Sequence, residues 1–236
     1  MFKKSLLLIT LLSLILVLGG CSLSKNSSKI SSKGASKDTS KTSRKGLYIS
    51  YPEFKDKLDS KAKEWANGDY YVSTIKSGHL INELSSKGNA VYWKATVVKC
   101  ESLDKKRDSE RNIYQRICVG PSATITYAKQ DTGLIGEGLR LKKDPFRYRS
   151  IVFDLNQVNI DAKEAEQIAN KQKNYKPTGY ETYTYELVPD KTGEFPIWQI
   201  HMACTYISVS DKKGPCDASK DYWEVSINAT NGEVLD

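Results

Sequence analysis

Trp223-Glu224-Val225-Ser226-Ile227-Asn228-Ala229-Thr230-Asn231-Gly232-Glu233-Val234-Leu235 decides how the chain folds. Trp223, Val225 and Ile227 alternate with polar residues, the period of two that marks a strand buried on one side. Asn231-Gly232 supplies the turn that follows it. Reading backwards, Trp198, Ile200 and Met202 alternate with Gln199 and His201, and Tyr183, Tyr185 and Leu187 alternate with Thr184 and Glu186. Ahead of these strands Ala165, Ile168 and Ala169 make a narrow helical stripe, with Asp161 and Glu164 as its start signal. A helix packed on a short antiparallel sheet is an α+β unit.

The same order recurs upstream. Phe54, Leu58, Ala62, Trp65 and Ala66 recur at helical spacing after Ser50, Pro52 and Glu53, the pattern of a capping box with proline in the first turn. In one common register Ala62, Ala66 and Glu83-Leu84 coincide with Ala165, Ala169 and Glu186-Leu187. After a small drift Tyr92-Trp93 meets Ile197-Trp198, Cys100 falls beside the place of Cys204, and Asp131-Thr132-Gly133 answers Thr230-Asn231-Gly232. Shared order at low identity points to an internal repeat. Tyr71 to Ile75 can begin a strand, while His79 to Leu84 fits either state. Gly133 to Gly138 reads as a turn region and Arg147 to Leu155 as a strand. The expectation is α+β with two tandem small modules, each a helix on an antiparallel sheet, over residues 47–145 and 146–236.

The C-terminal unit resembles the PepSY domain. The resemblance rests on the Ala165 to Ala169 helix, Tyr185-Glu186-Leu187, Ile197-Trp198-Gln199-Ile200 and the closing run from Trp223 to Leu235. Asn228 stands where that family usually has Asp, and the segment between Cys204 and Cys216 is not a usual family feature. The resemblance implies PepSY-like modules that contact another exported protein, a peptidase or a cell-envelope sensor.

Location is read from the other end of the chain. Lys3 and Lys4 precede an apolar run from Leu6 to Leu18 that is too short to span a bilayer, and Leu18-Gly19-Gly20-Cys21 follows with the small-residue exit of a signal peptide. This resembles the lipobox of bacterial lipoproteins, in which residues 1–20 are removed and Cys21 carries diacylglycerol. Residues 21–46 are rich in Ser, Lys, Thr and Gly, with Lys25, Lys29, Lys33, Lys37, Lys41 and Lys45 at a strict spacing of four. On a helix those charges would share one face and repel, so a disordered tether is expected. The protein is thus expected to be lipid-anchored to the cell membrane and to face the extracytoplasmic side.

Charge excludes one partner class. The chain carries a formal +8, but residues 1–46 hold nine Lys and Arg against the single Asp38, which accounts for the whole excess. The balanced body argues against a nucleic-acid partner, which would normally require a basic excess on the folded part. Cys100, Cys118, Cys204 and Cys216 form an even set in an oxidising location, where disulfides persist. Of three pairings the simplest is local, Cys100 with Cys118 and Cys204 with Cys216. A metal site would lack the close Cys-x-x-Cys spacing that zinc uses.

No catalytic constellation is recognised. His79 and His201 stand one in each half at non-equivalent places. There is no HExxH helix, no GxSxG elbow and no P-loop. Gly133 to Gly138 has the wrong spacing for a dinucleotide fingerprint, and Asp154 with Asp161 does not define an acid and a base. No catalytic residue, cofactor or metal is expected. The 14 Tyr and 4 Trp are the remaining signal. Tyr and Trp favour binding surfaces, which makes Tyr180, Tyr183, Tyr185 and Trp223 the candidate contact face, with core packing as the competing reading. Two classes follow: a non-enzymatic binding or regulatory lipoprotein acting on another envelope or secreted protein, and a small cell-envelope hydrolase.

Overall fold

A computed structural model describes residues 47–79, 87–108, 113–133, 135–178, 181–204 and 222–235. Residues 1–46, with the leader, Cys21 and the tether, lie outside the described residues, as do Tyr180 and Cys216. Ser43–Asp236 forms one compact unit. Its described residues are α+β: two helices on a predominantly antiparallel sheet.

Helix α1 (Tyr51–Ala66) starts as its sequence requires. Ser50 is extended and its hydroxyl accepts from the Glu53 amide at 3.3 Å, with Pro52 in the first turn. The reciprocal half of the capping box is absent, because the Glu53 carboxylate instead receives the Tyr127 hydroxyl at 3.0 Å and Lys129 at 2.8 Å. Tyr51, Phe54, Leu58, Ala62 and Ala66 are buried. Helix α2 (Ala162–Gln172) is capped by Asp161, which accepts from the Glu164 amide at 2.8 Å. It buries Ala162, Ala165, Glu166 and Ala169.

The strands are β1 (Ile49–Ser50), β2 (Tyr71–Gly78), β3 (Asn89–Ala90), β4 (Tyr92–Val98), β5 (Ser102–Asp108), β6 (Ile113–Ala128), β7 (Gly138–Ile151), β8 (Glu181–Pro189), β9 (Pro196–Cys204), β10 (Tyr222–Asn228) and β11 (Val234–Leu235). β1 and β3 pair alone. The other nine form one sheet in the order β11-β10-β9-β8-β2-β4-β6-β5, with β7 also paired to β6. The two halves therefore meet edge to edge, through the antiparallel pair β2 and β8.

This junction has an internal two-fold arrangement. Ser77 lies opposite Trp93 in the first half and Leu187 opposite Trp198 in the second, so Ser77 corresponds to Leu187 and Lys76 to Glu186. Lys76 and Glu186 also pair with each other, which puts the local axis between them. The tryptophans are fixed alike. Trp93 Nε1 donates to Ile49 O at 2.9 Å and Trp198 Nε1 to Ile160 O at 2.7 Å, each carbonyl lying just ahead of a helix. The caps Ser50 and Asp161 therefore correspond, and Ala62 does not correspond to Ala165 as the sequence register has it.

Both helices contribute to the same hydrophobic core, on one face of the sheet. Ring centroids run from Phe54 to Trp93 (5.9 Å), from Trp93 to Tyr185 (6.0 Å) and Trp198 (6.5 Å), and from Tyr51 to Trp198 (4.8 Å), joining residues of both halves. The expected boundary at 145/146 falls inside β7. That strand keeps pairing with β6 past a register shift, where Lys143 opposes Ala123 and Arg147 opposes Pro121. Pro145 is tolerated there because a bulge on an outer strand does not need its amide. The strand expected over Arg147 to Leu155 likewise stops at Ile151; Phe153 makes only an isolated bridge to Val72, and Leu155–Gln157 is a short 3-10 helix.

Cys100 and Cys118 are joined, with Cα atoms 5.3 Å apart and a sequence separation of 18. The bond closes the base of the β5–β6 hairpin, where Leu103 pairs with Cys118. Cys118 is buried with Val98 and Val152. Cys204 is also disulfide-bonded. Gly120 lies beside the crossing from β4 to β5, and a Cβ there would collide with the Lys99 carbonyl. Replacing Cys100 and Cys118 together by alanine is expected to cost about 3 kcal/mol, from loop-closure entropy restored to the unfolded chain. Urea midpoints with and without the bond measure this, and an unchanged midpoint would contradict it.

Candidate binding face

Of the residues singled out by their aromatic character, the three that are described, Tyr183, Tyr185 and Trp223, do not form an exposed surface. Tyr183 and Tyr185 are fully buried. Helix α2 presents mainly alanine to the sheet, so large rings on β8 and β9 fill the space beneath it. Trp223 is half-buried, with ring centroids 5.9 Å from Tyr183 and 6.2 Å from Tyr175. The competing core reading is therefore the one that holds for these three.

The scattered carboxylates and histidines have local partners. Asp154 accepts from the Asn156 amide at the start of the 3-10 helix, and Asp161 caps α2. His79 is half-buried, and desolvation pushes its imidazole down to about 4 against an opposing backbone hydrogen bond with Tyr183. His201 Nδ1 lies 3.4 Å from Glu224 Oε2, across the β9–β10 pair. Asn228, at the position where Asp was expected from the resemblance, accepts from the Thr230 amide at 2.8 Å, a bond that needs no carboxylate charge.

One buried polar cluster joins the halves. Glu166 on α2 receives the Tyr185 hydroxyl at 2.5 Å and the Gly88 amide at 3.2 Å, and the same amide lies 3.1 Å from the Tyr185 oxygen. Gly88 has φ +68 and faces the backbone of Lys163 so closely that a Cβ would collide with it. Burial pushes the Glu166 carboxyl above its ordinary value, against these hydrogen bonds, which favour the charged form. The cluster fastens the turn before β3 to α2.

Part of the sheet face opposite the helices is polar. On it Glu186, Lys76, Lys94, Thr126 and Arg140 follow one another across β8, β2, β4, β6 and β7, and Thr96, Thr124 and Lys142 make the next row. Lys76 is paired to Glu186 at 2.7 Å. Lys94, Arg140 and Lys142 line a shallow pocket of about 410 Å³ with Thr124, Thr126, Ile135, Gly136 and Leu141, a lining without a carboxylate. Lys94 on β4 and the Arg140 and Lys142 pair on β7 stand on either side of β6, with Thr124 and Thr126 between them. The alternations Lys94-Ala95-Thr96, Thr124-Ile125-Thr126 and Arg140-Leu141-Lys142 carry the signal in the sequence, but the strand order that gathers them does not follow from it.

Beyond the pocket β7 is the outer strand. Among the described residues it pairs only with β6. Phe146 is 80% exposed in its bulge, Tyr148 on β7 and Leu103 on β5 are each 38% exposed, and Lys143, Arg147 and Arg149 flank Phe146 and Tyr148 in sequence. Arg147 pairs with Glu101. No group of three His, Cys, Asp or Glu among the described residues could hold a metal ion, and no helix there is long and apolar enough to cross a membrane. Comparisons with protein-family models, with curated proteins and with solved structures find no match for this chain.

Proposed function

We propose that the chain is an exported, membrane-anchored lipoprotein built on two tandem PepSY-like modules, and that it binds another envelope or secreted protein without turning it over. The observation that carries this reading is the outer edge of β7, where an exposed Phe146 and a half-exposed Tyr148 stand among basic residues. An outer strand offers unpaired main-chain groups to an extended segment of a partner, and its alternate side chains supply selectivity. Apolar groups exposed together and rimmed by charge mark contact sites more often than scattered ones do. The charge fits a partner segment bearing acidic side chains, and a peptidase is the partner class to which the PepSY-like pattern leads.

A photo-reactive residue placed at Tyr148 in intact cells tests this. The expected result is one adduct with an exported protein, lost when Phe146→Asp is added and absent when the probe is moved to Lys191 in the other half. No adduct at Tyr148, with hydrolysis of a peptide or glycan by the purified chain, would overturn the reading in favour of the hydrolase.

A further inference from the structure

The geometry points to the Lys94–Arg140–Lys142 pocket as a binding site for a phosphate group; Arg140 and Lys142 belong to the same strand as the proposed contact edge, but Phe146 and Tyr148 do not line the pocket. The first observation is the donor set. Two ammonium groups, one guanidinium and two threonine hydroxyls line one concavity, with no carboxylate among the lining residues. Asp144, the nearest acidic residue on β7, accepts from Ser122 Oγ at 2.7 Å. The Glu137 contact to Arg140 is through its carbonyl, not its carboxylate.

The second observation is that the guanidinium, although exposed, rests against the neighbouring loop. Arg140 Nε donates to Glu137 O at 3.4 Å, and the guanidinium packs so closely over Gly136 that a Cβ there would overlap it. Ile135 is tied to Thr132, since the Ile135 amide donates to Thr132 Oγ1 at 2.9 Å and the Thr132 amide to Ile135 O at 2.9 Å. A guanidinium positioned before its ligand arrives loses less freedom on binding than a free one.

The third observation is the row geometry. Thr126 lies between Lys94 and Arg140, and Thr124 lies beside Lys142, so donors converge from three strands. A phosphate presents three or four acceptor oxygens and up to two charges, which can engage cations and hydroxyls from several directions. A carboxylate is planar with one charge and would leave part of this set unused. The apolar side chain of Ile135 at the rim lies where it can meet the organic portion of a phosphate ester or phosphodiester.

Calorimetric titration of the full chain in neutral detergent tests the site with three probes: glycerol 3-phosphate, dihexanoyl phosphatidylglycerol below its micellar concentration, and succinate. Both phosphate probes are expected to bind, more weakly at high salt, and succinate at least about tenfold less well. Lys94→Gln and Arg140→Gln should each weaken binding by about tenfold or more, as loss of a charged hydrogen bond does. Gly136→Ala should weaken it without changing any charge, and Lys191→Gln should leave it unchanged. Tighter binding of the lipid assigns the phosphate to a headgroup, whereas tighter binding of glycerol 3-phosphate assigns it to a soluble or polymeric ester. Equal binding of succinate, no phosphate binding, or phosphate binding that survives both charge removals in variants of native melting temperature would overturn the assignment.

Discussion

Trp93→Ala is expected to destabilise the body by about 3–5 kcal/mol, the range for truncating a buried large aromatic side chain, and to do so for both halves at once. Trp93 is completely buried and packs against Tyr51 and Phe54 of α1 and against Tyr185 and Trp198 of the second half. Its removal opens a cavity where the two halves share their core, and it deprives the Ile49 carbonyl of its donor. Unfolding by urea, followed by far-ultraviolet dichroism and by tyrosine fluorescence, should remain one transition shifted to lower urea. Trp65→Ala serves as control, because Trp65 sits half-buried at the edge of α1 and should cost clearly less. Two separate transitions in the Trp93 variant would mean that the shared aromatic cluster does not couple the halves.

That coupling marks the limit of what the sequence makes legible. The helices, their caps and the alternating strands follow from local rules: Ser50 and Asp161 accept the amides that their positions require, and Trp198, Ile200 and Met202 point inward as their spacing demands. Pairing between distant segments is another matter. Nothing local in Lys76 and Glu186 says that β2 and β8 are neighbours, so two modules in the sequence become one sheet with one core. The aromatic strands are legible as strands, but whether their rings face solvent depends on what covers them. Alanine-lined α2 leaves room for Tyr183 and Tyr185, and they are buried there. The phosphate pocket is hidden for the same reason, since Lys94, Arg140 and Lys142 converge only through the order β4-β6-β7.

Glu166 should give a stability effect that changes with pH. Its carboxyl is raised above the ordinary 4.5 chiefly by burial. A group raised on folding contributes its full stability below the unfolded value, and this contribution is lost as pH climbs through the folded value. Glu166→Gln, which stays uncharged, should therefore gain on the native protein as pH rises from the ordinary carboxyl value through the Glu166 transition. Glu166→Leu should lose about 1–3 kcal/mol below the ordinary carboxyl value, because the buried Tyr185 hydroxyl then has no carboxyl to receive it, and this deficit should shrink as pH rises through the Glu166 transition. In Glu166→Leu with Tyr185→Phe the Gly88 amide loses both acceptors, so the cost should exceed that of either single change, and a double-mutant cycle measures the surplus. A stability difference between the native protein and the Glu166→Gln variant that stays constant with pH would show that Glu166 does not titrate differently in the folded and unfolded chains.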